Sequence, residues 1–141
     1  MCQAWEAAGA PAQDLGIRTV WLRTGLVTTP MGGALQQLML PTLLGAGGPA
    51  GGGRQYYPWI SLHAHIYATY HLMMNDGCDG PYNLTAPEPV TQKQYAKTLG
   101  KVLLRPWFAP APGFVLKIMF GELAQALVLS GQRVLPKRLQ D

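Results

Sequence analysis

The sequence predicts an α/β fold, with a strand of the parallel-sheet type followed by a mainly helical remainder. Three observations predict it. A helix-forming stretch over residues 2–14 runs through Gly16 into the β-branched, aromatic run Thr19-Val20-Trp21-Leu22, which is half of an α/β crossover unit. Strand-like and helix-like segments then alternate around a long glycine-rich stretch. The second half of the chain is dominated by helical periodicity.

Residues 2–14 are rich in Ala, Gln and Glu, and Gly16 is the expected stop. The run Thr19 to Leu22 predicts a buried strand. Leu35, Leu38, Met39 and Leu43 recur at helical spacing, with Pro41 expected to kink or end that helix. Gly45 to Gly53 holds too much glycine for regular structure. A short strand is expected after Pro58, and His63 to Met74 reads as a helix with Ile66, Tyr70, Met73 and Met74 on one face. Asn75-Asp76-Gly77 is a turn signal, and Pro81 to Thr85 a short strand. Thr91-Gln92-Lys93-Gln94 has the form of a capping box, followed by Tyr95, Leu99, Val102 and Leu103 on one face. Arg105 to Pro112 is expected to be extended, Phe114 to Leu129 helical with a break near Gly121, and Gln132 to Asp141 a charged tail without a core element.

Composition narrows the function. With 141 residues the chain has room for one modest domain. Charged residues make up 13%, about half the usual share. That scarcity is expected of a chain that hides surface against further sequence or a partner. The net charge of +4 reads as a solvated basic face, and no aromatic-basic interleaving suggests nucleic acid. Cys2 and Cys78 form no CxxC pair, which fits a reducing compartment. The first residues lack the basic and apolar regions of a signal peptide, and no apolar run approaches the ~20 residues of a membrane span. A cytoplasmic chain that binds neither membrane nor nucleic acid is the expectation.

Specific catalytic patterns fail one by one. Gly53 is followed by Arg54-Gln55, not by the Lys-Ser/Thr of a phosphate-cradling P-loop. A dinucleotide fingerprint needs a strand before its glycines and a helix after, whereas here the order is reversed. His63 and His65 point to nearly opposite sides of a helix, and His63 and His71 lie ~12 Å apart by helix rise. Metal binding is therefore not expected. Ser61 and Ser130 sit in no nucleophile elbow, and Glu122 reads as a capping or ion-paired carboxylate.

The order of segments is more informative. Arg23-Thr24-Gly25-Leu26-Val27, Gly32-Gly33-Ala34-Leu35, Gly47 to Gln55, Pro58-Trp59-Ile60 and Gly80-Pro81-Tyr82-Asn83-Leu84-Thr85-Ala86-Pro87 occur in one collinear set. Arg105-Pro106, Gly121-Glu122 and Gly131-Gln132-Arg133-Val134-Leu135-Pro136-Lys137-Arg138-Leu139 complete it. The set resembles the nucleoside-diphosphate-sugar epimerase-like family of extended short-chain dehydrogenases/reductases, including the C-terminal domain of unknown function that ends those proteins.

The resemblance implies a Rossmann-type parent whose C-terminal part, a late sheet strand plus a mainly helical substrate-side domain, is what this chain carries. Residues 1–31 would end the dinucleotide-binding sheet, 32–90 would form a substrate-side segment with the glycine-rich loop, and 91–141 a truncated helical domain. Arg23, Thr24 and Gly25 would line the cofactor cleft, and Gln55 and Trp59 would approach the substrate. NAD or NADP would serve the parent but not bind these residues alone, because the family's glycine fingerprint and Tyr-x-x-x-Lys pair are missing here. No catalytic residue is assigned. The implied ligand is a small molecule of the nucleotide-sugar type, and a homodimer is compatible with the family. The family commonly shows one or two Asp shortly after Trp-Ile, whereas Ser61-Leu62-His63-Ala64-His65 has none, so an acidic helix cap or substrate contact is expected to be lost. The alternative reading is a degenerate, non-catalytic interaction or binding domain, for which the Lys93, Lys97, Lys101 stripe is a candidate face.

Overall fold

The computed structural model describes residues 2–49, 52–107 and 131–140. The N-terminal stretch folds as two short helices, α1 (Cys2–Ala8) and α2 (Ala10–Asp14), broken at Gly9, with Pro11 in the first turn of α2. Gly16, at φ +76°, turns the chain toward β1 (Val20–Thr24). Next come β2 (Leu26–Thr28) and α3 (Gly33–Pro41), which opens into a wide π-helical turn over Thr42–Ala46. Pro41 lies in the last turn of α3, the αR backbone runs on through Thr42, and the break comes at Gly45, at φ +81°.

β3 (Tyr56–Tyr57) and β4 (Trp59–Ser61) flank Pro58. Then follow α4 (Leu62–Met74), β5 (Gly80–Leu84), β6 (Val90–Thr91), α5 (Gln92–Val102) and α6 (Lys137–Gln140). The stretch Phe114 to Leu129, with Gly121 and Glu122, lies outside the described residues, as do Ser130 and the end of the Arg105 to Pro112 run.

Pairing is short-range in extent and long-range in sequence. β1 runs parallel to β5 in the register Val20 to Gly80 through Thr24 to Leu84. β2 runs parallel to β4, Leu26 opposite Trp59, and β3 pairs antiparallel with β6. The two faces of β1 meet different helices. Trp21 lies against Gly9 and Arg23 bonds Glu6 of α1, while Val20 packs on the core beneath α4 and Thr24 bonds His65 of α4. Alternation along a strand requires this division.

The core gathers Ile60, Leu72, Cys78, Tyr82 and Leu84, with Val20, Val27, Ala68 and Leu139 packed against it. Four expectations change. The strand expected to be buried is half-buried at Val20 and Trp21 and leaves Leu22 40% exposed, because β1 has one strand neighbour among the described residues. On α5, Val102 faces solvent, and the buried side is formed by Gln92, Ala96 and Gly100. The tail does supply a core contact, through Leu139. On α4, Ile66, Tyr70, Met73 and Met74 share the expected face, but that face is 55–63% exposed, and it is Leu72 that is buried.

Candidate functional site

Gly25 is where the chain changes partners. Its N–H bonds Leu84 O at 3.0 Å, closing the β1–β5 ladder, and the next N–H, of Leu26, bonds Pro58 O at 2.6 Å, opening the β2–β4 ladder. Three backbones converge there. A Cβ at residue 25 would collide with Pro58 O and meet Thr85 Cγ2 at 2.9 Å and Leu84 O at 3.2 Å. Ala86 N–H donates to Trp59 O at 2.7 Å, tying the segment after β5 to β4. The carboxyl ends of β1 and β5, followed by Thr85, thus lie beside β4. Carboxyl ends of parallel strands are where open α/β sheets place ligands.

Around this junction polar groups are left over. Among the described residues, Trp59 Nε1 and Thr85 Oγ1 are buried with no hydrogen-bond partner, as is Tyr57 Oη. Most buried polar atoms in folded proteins are paired, so these groups call for an explanation. Each orphan forfeits about 1–3 kcal/mol of desolvation. Tyr57 stacks on Tyr95 with ring centroids 4.8 Å apart, and burial raises both phenols, Tyr95 to about 12. These two remain neutral at ordinary pH and supply no general base.

Of the sequence-predicted residues, Thr24, Gly25 and Trp59 come together at this junction. Thr24 Oγ1 and His65 Nε2 are 3.1 Å apart, which brings an imidazole to the end of β1. Arg23 faces the other way. Its Nε and Nη2 donate to Glu6 Oε1 and Oε2 at 2.7 and 2.8 Å, and this hydrogen bonding lowers the Glu6 carboxyl below its ordinary value and raises the guanidinium. Gln55 stands apart, before β3, where its carbonyl accepts from Gln92 N–H and its Cβ lies against Gly131.

Sequence reasoning missed Thr85, Tyr57 and the partnership of His65. No acid caps α4; Ser61 serves instead, its side chain accepting from Ala64 N–H at 3.1 Å. Among the described residues no group of His, Cys, Asp and Glu could hold a metal, and no helix is long and apolar enough to cross a membrane.

Parallel strand pairs with helices on both faces make this an α/β fold of the Rossmann type. The model for the Domain of unknown function (DUF1731) matches residues 111–141. The chain is 38% identical over 140 residues to Epimerase family protein Mb2239 of Mycobacterium bovis, covering 99% of itself and 46% of that protein. It is 40% identical over 134 residues to Epimerase family protein YfhF of Bacillus subtilis, covering 95% of itself and 44% of that protein.

Among solved structures, the human epimerase family protein SDR39U1 (isoform 2) with NADPH superposes with a TM-score of 0.81 at 35% identity, over 88% of this chain and 42% of that one. A nucleoside-diphosphate sugar epimerase from Corynebacterium glutamicum gives 0.65 at 25% identity, over 99% of this chain and 33% of that one. Nearly the whole chain is thus similar to epimerase-like members of the extended short-chain dehydrogenases/reductases. It spans just under half the length of the curated relatives it matches.

Proposed function

We propose that these residues form the substrate-side part of an NAD(P)-dependent epimerase-like oxidoreductase and, by themselves, are inactive. The cofactor would supply hydride transfer, held by the half of the relatives' length that this chain does not match. The chain's own contribution is a rigid strand-end junction. Gly25 holds β1, β4 and the segment after β5 in contact, Thr24 and His65 present a hydroxyl–imidazole pair, and Trp59 and Thr85 offer polar groups to an incoming ligand. The single observation that carries this reading is the pair of unpartnered buried groups, Trp59 Nε1 and Thr85 Oγ1, beside the carboxyl ends of two parallel strands. A small polar substrate of the nucleotide-sugar type would satisfy them.

The test is reassembly. The part of the Bacillus subtilis relative that this chain does not match would be produced separately, mixed with this chain, and titrated with NADPH. The proposal expects a stable complex that binds NADPH more tightly than the isolated half. Failure of the two to associate would sink it. The exposed apolar face of α4 favours a second reading, a non-catalytic interaction domain, which expects association without any gain in NADPH affinity.

A further inference from the structure

The tail after residue 130 is laid along β5 in the opposite direction. Gly131 abuts the Gln55–Tyr56 backbone, Asn83 Nδ2 donates to Leu135 O at 3.1 Å, and Arg138 Nη1 donates to Pro81 O at 3.1 Å. Between this tail and the β1–β5 ribbon lies a cleft of about 390 Å³, within the size range of small-molecule sites. Four of the residues lining it are cations: Arg23, Arg133, Lys137 and Arg138.

Two carboxylates answer them. Glu6 holds Arg23, and Asp79 approaches Arg138 at 3.5 Å from a largely exposed position. Arg133 faces only the ring of Tyr56, at 5.4 Å, and Lys137 has no ion pair among the described residues. Among those residues, two positive charges therefore stand uncompensated around one concavity. Guanidinium forks favour phosphate geometry, and a lysine adds a point charge.

We infer that this cleft binds a phosphate-bearing small molecule, and that the matched domain of unknown function supplies three of its four cations. The cleft lies on the Arg23 face of β1, whereas the strand-end junction uses Thr24, and its cations do not depend on the proposed oxidoreductase role. The tail contributes Arg133, Lys137 and Arg138 because its backbone is pinned at Asn83 and its Arg138 at Pro81, so the charges are held in place rather than carried on a free strand.

The full chain would be titrated with inorganic pyrophosphate by calorimetry at low and moderate salt. Lys101→Gln is the control, because it removes a positive charge on α5 and leaves every cleft cation in place. Saturable, salt-sensitive binding is expected, unchanged in Lys101→Gln and weakened about tenfold or more for each cation removed in Arg133→Gln and Lys137→Gln. Both substituted cleft side chains are exposed, so the variants are expected to keep the fold, which circular dichroism would check. No saturable binding by the wild-type chain would overturn the inference. Equal weakening in Lys101→Gln would overturn it too, because that reports net charge and not a site.

Discussion

Replacing Gly25 with alanine adds one methyl group where three backbones meet. The new Cβ would collide with Pro58 O, with Thr85 Cγ2 at 2.9 Å and Leu84 O at 3.2 Å close behind. Two of these obstacles are backbone carbonyls, which cannot swing aside as a side-chain end can. Both carbonyls accept hydrogen bonds at the junction, from Gly25 N–H and Leu26 N–H. Overpacking of this kind costs about 1–3 kcal/mol. Loss of one of the two hydrogen bonds adds about 0.5–1.5 kcal/mol. The expected destabilisation is therefore about 2–4 kcal/mol, or a fall in Tm on the order of 10 °C for a chain of this size. Urea unfolding followed by circular dichroism measures it. Gly32→Ala is the control, since nothing lies within 4 Å of a Cβ there and its backbone is extended. A Gly25→Ala chain within about 0.5 kcal/mol of wild type would refute the close-packed junction, since ordinary surface substitutions fall in that range.

Thr85→Val removes an orphaned hydroxyl at nearly constant volume, so the isolated chain should gain about 1 kcal/mol in urea unfolding; a loss of that size would mean that the hydroxyl is already partnered. Leu72→Ala, at a side chain 1% exposed, should cost about 2–5 kcal/mol, and a smaller loss in the same assay would place Leu72 outside the core. Thr91→Ala removes the acceptor for Gln94 N–H and half of the capping box on α5, with about 1 kcal/mol of stability lost. Glu6 has a folded-state pKa depressed below 4.5 by Arg23, so its contribution is present above that value and fades as pH falls through the lower folded value. Thermal melts between about pH 5 and about pH 2 should therefore show a smaller acid loss in Glu6→Gln than in wild type, and parallel curves would contradict the pairing.

What sequence reading captures here is local. The capping box at Thr91 and Gln94 forms as its four-residue spacing requires, and Asn75 makes its side-chain turn to Gly77 N–H at 3.1 Å. The strand around Val20 and the stop at Gly16 are also where periodicity and glycine place them. What it misses depends on distant pairings. Thr24 and His65 are 41 positions apart, and nothing near either residue announces the other. Thr85 is brought against Gly25 only by the pairing of β1 with β5, and its hydroxyl is orphaned in that setting. The helical pattern on α4 reveals which residues share a face, but not that this face turns outward, since burial depends on what packs there. The alternation of β1 likewise directs the Arg23 side chain to Glu6, 17 positions away, a pairing that no local pattern near either residue announces.

The central claim is that these residues contribute a substrate-side junction and depend on further sequence for the dinucleotide. Calorimetric titration of the 141-residue chain with NADPH and NADH tests it most directly. The account predicts that any saturable heat with either nucleotide is only the salt-sensitive phosphate binding of the cationic cleft, and that excess inorganic pyrophosphate abolishes it. Micromolar binding that persists in excess pyrophosphate and moderate salt would contradict it and would mean that this chain builds a cofactor site of its own.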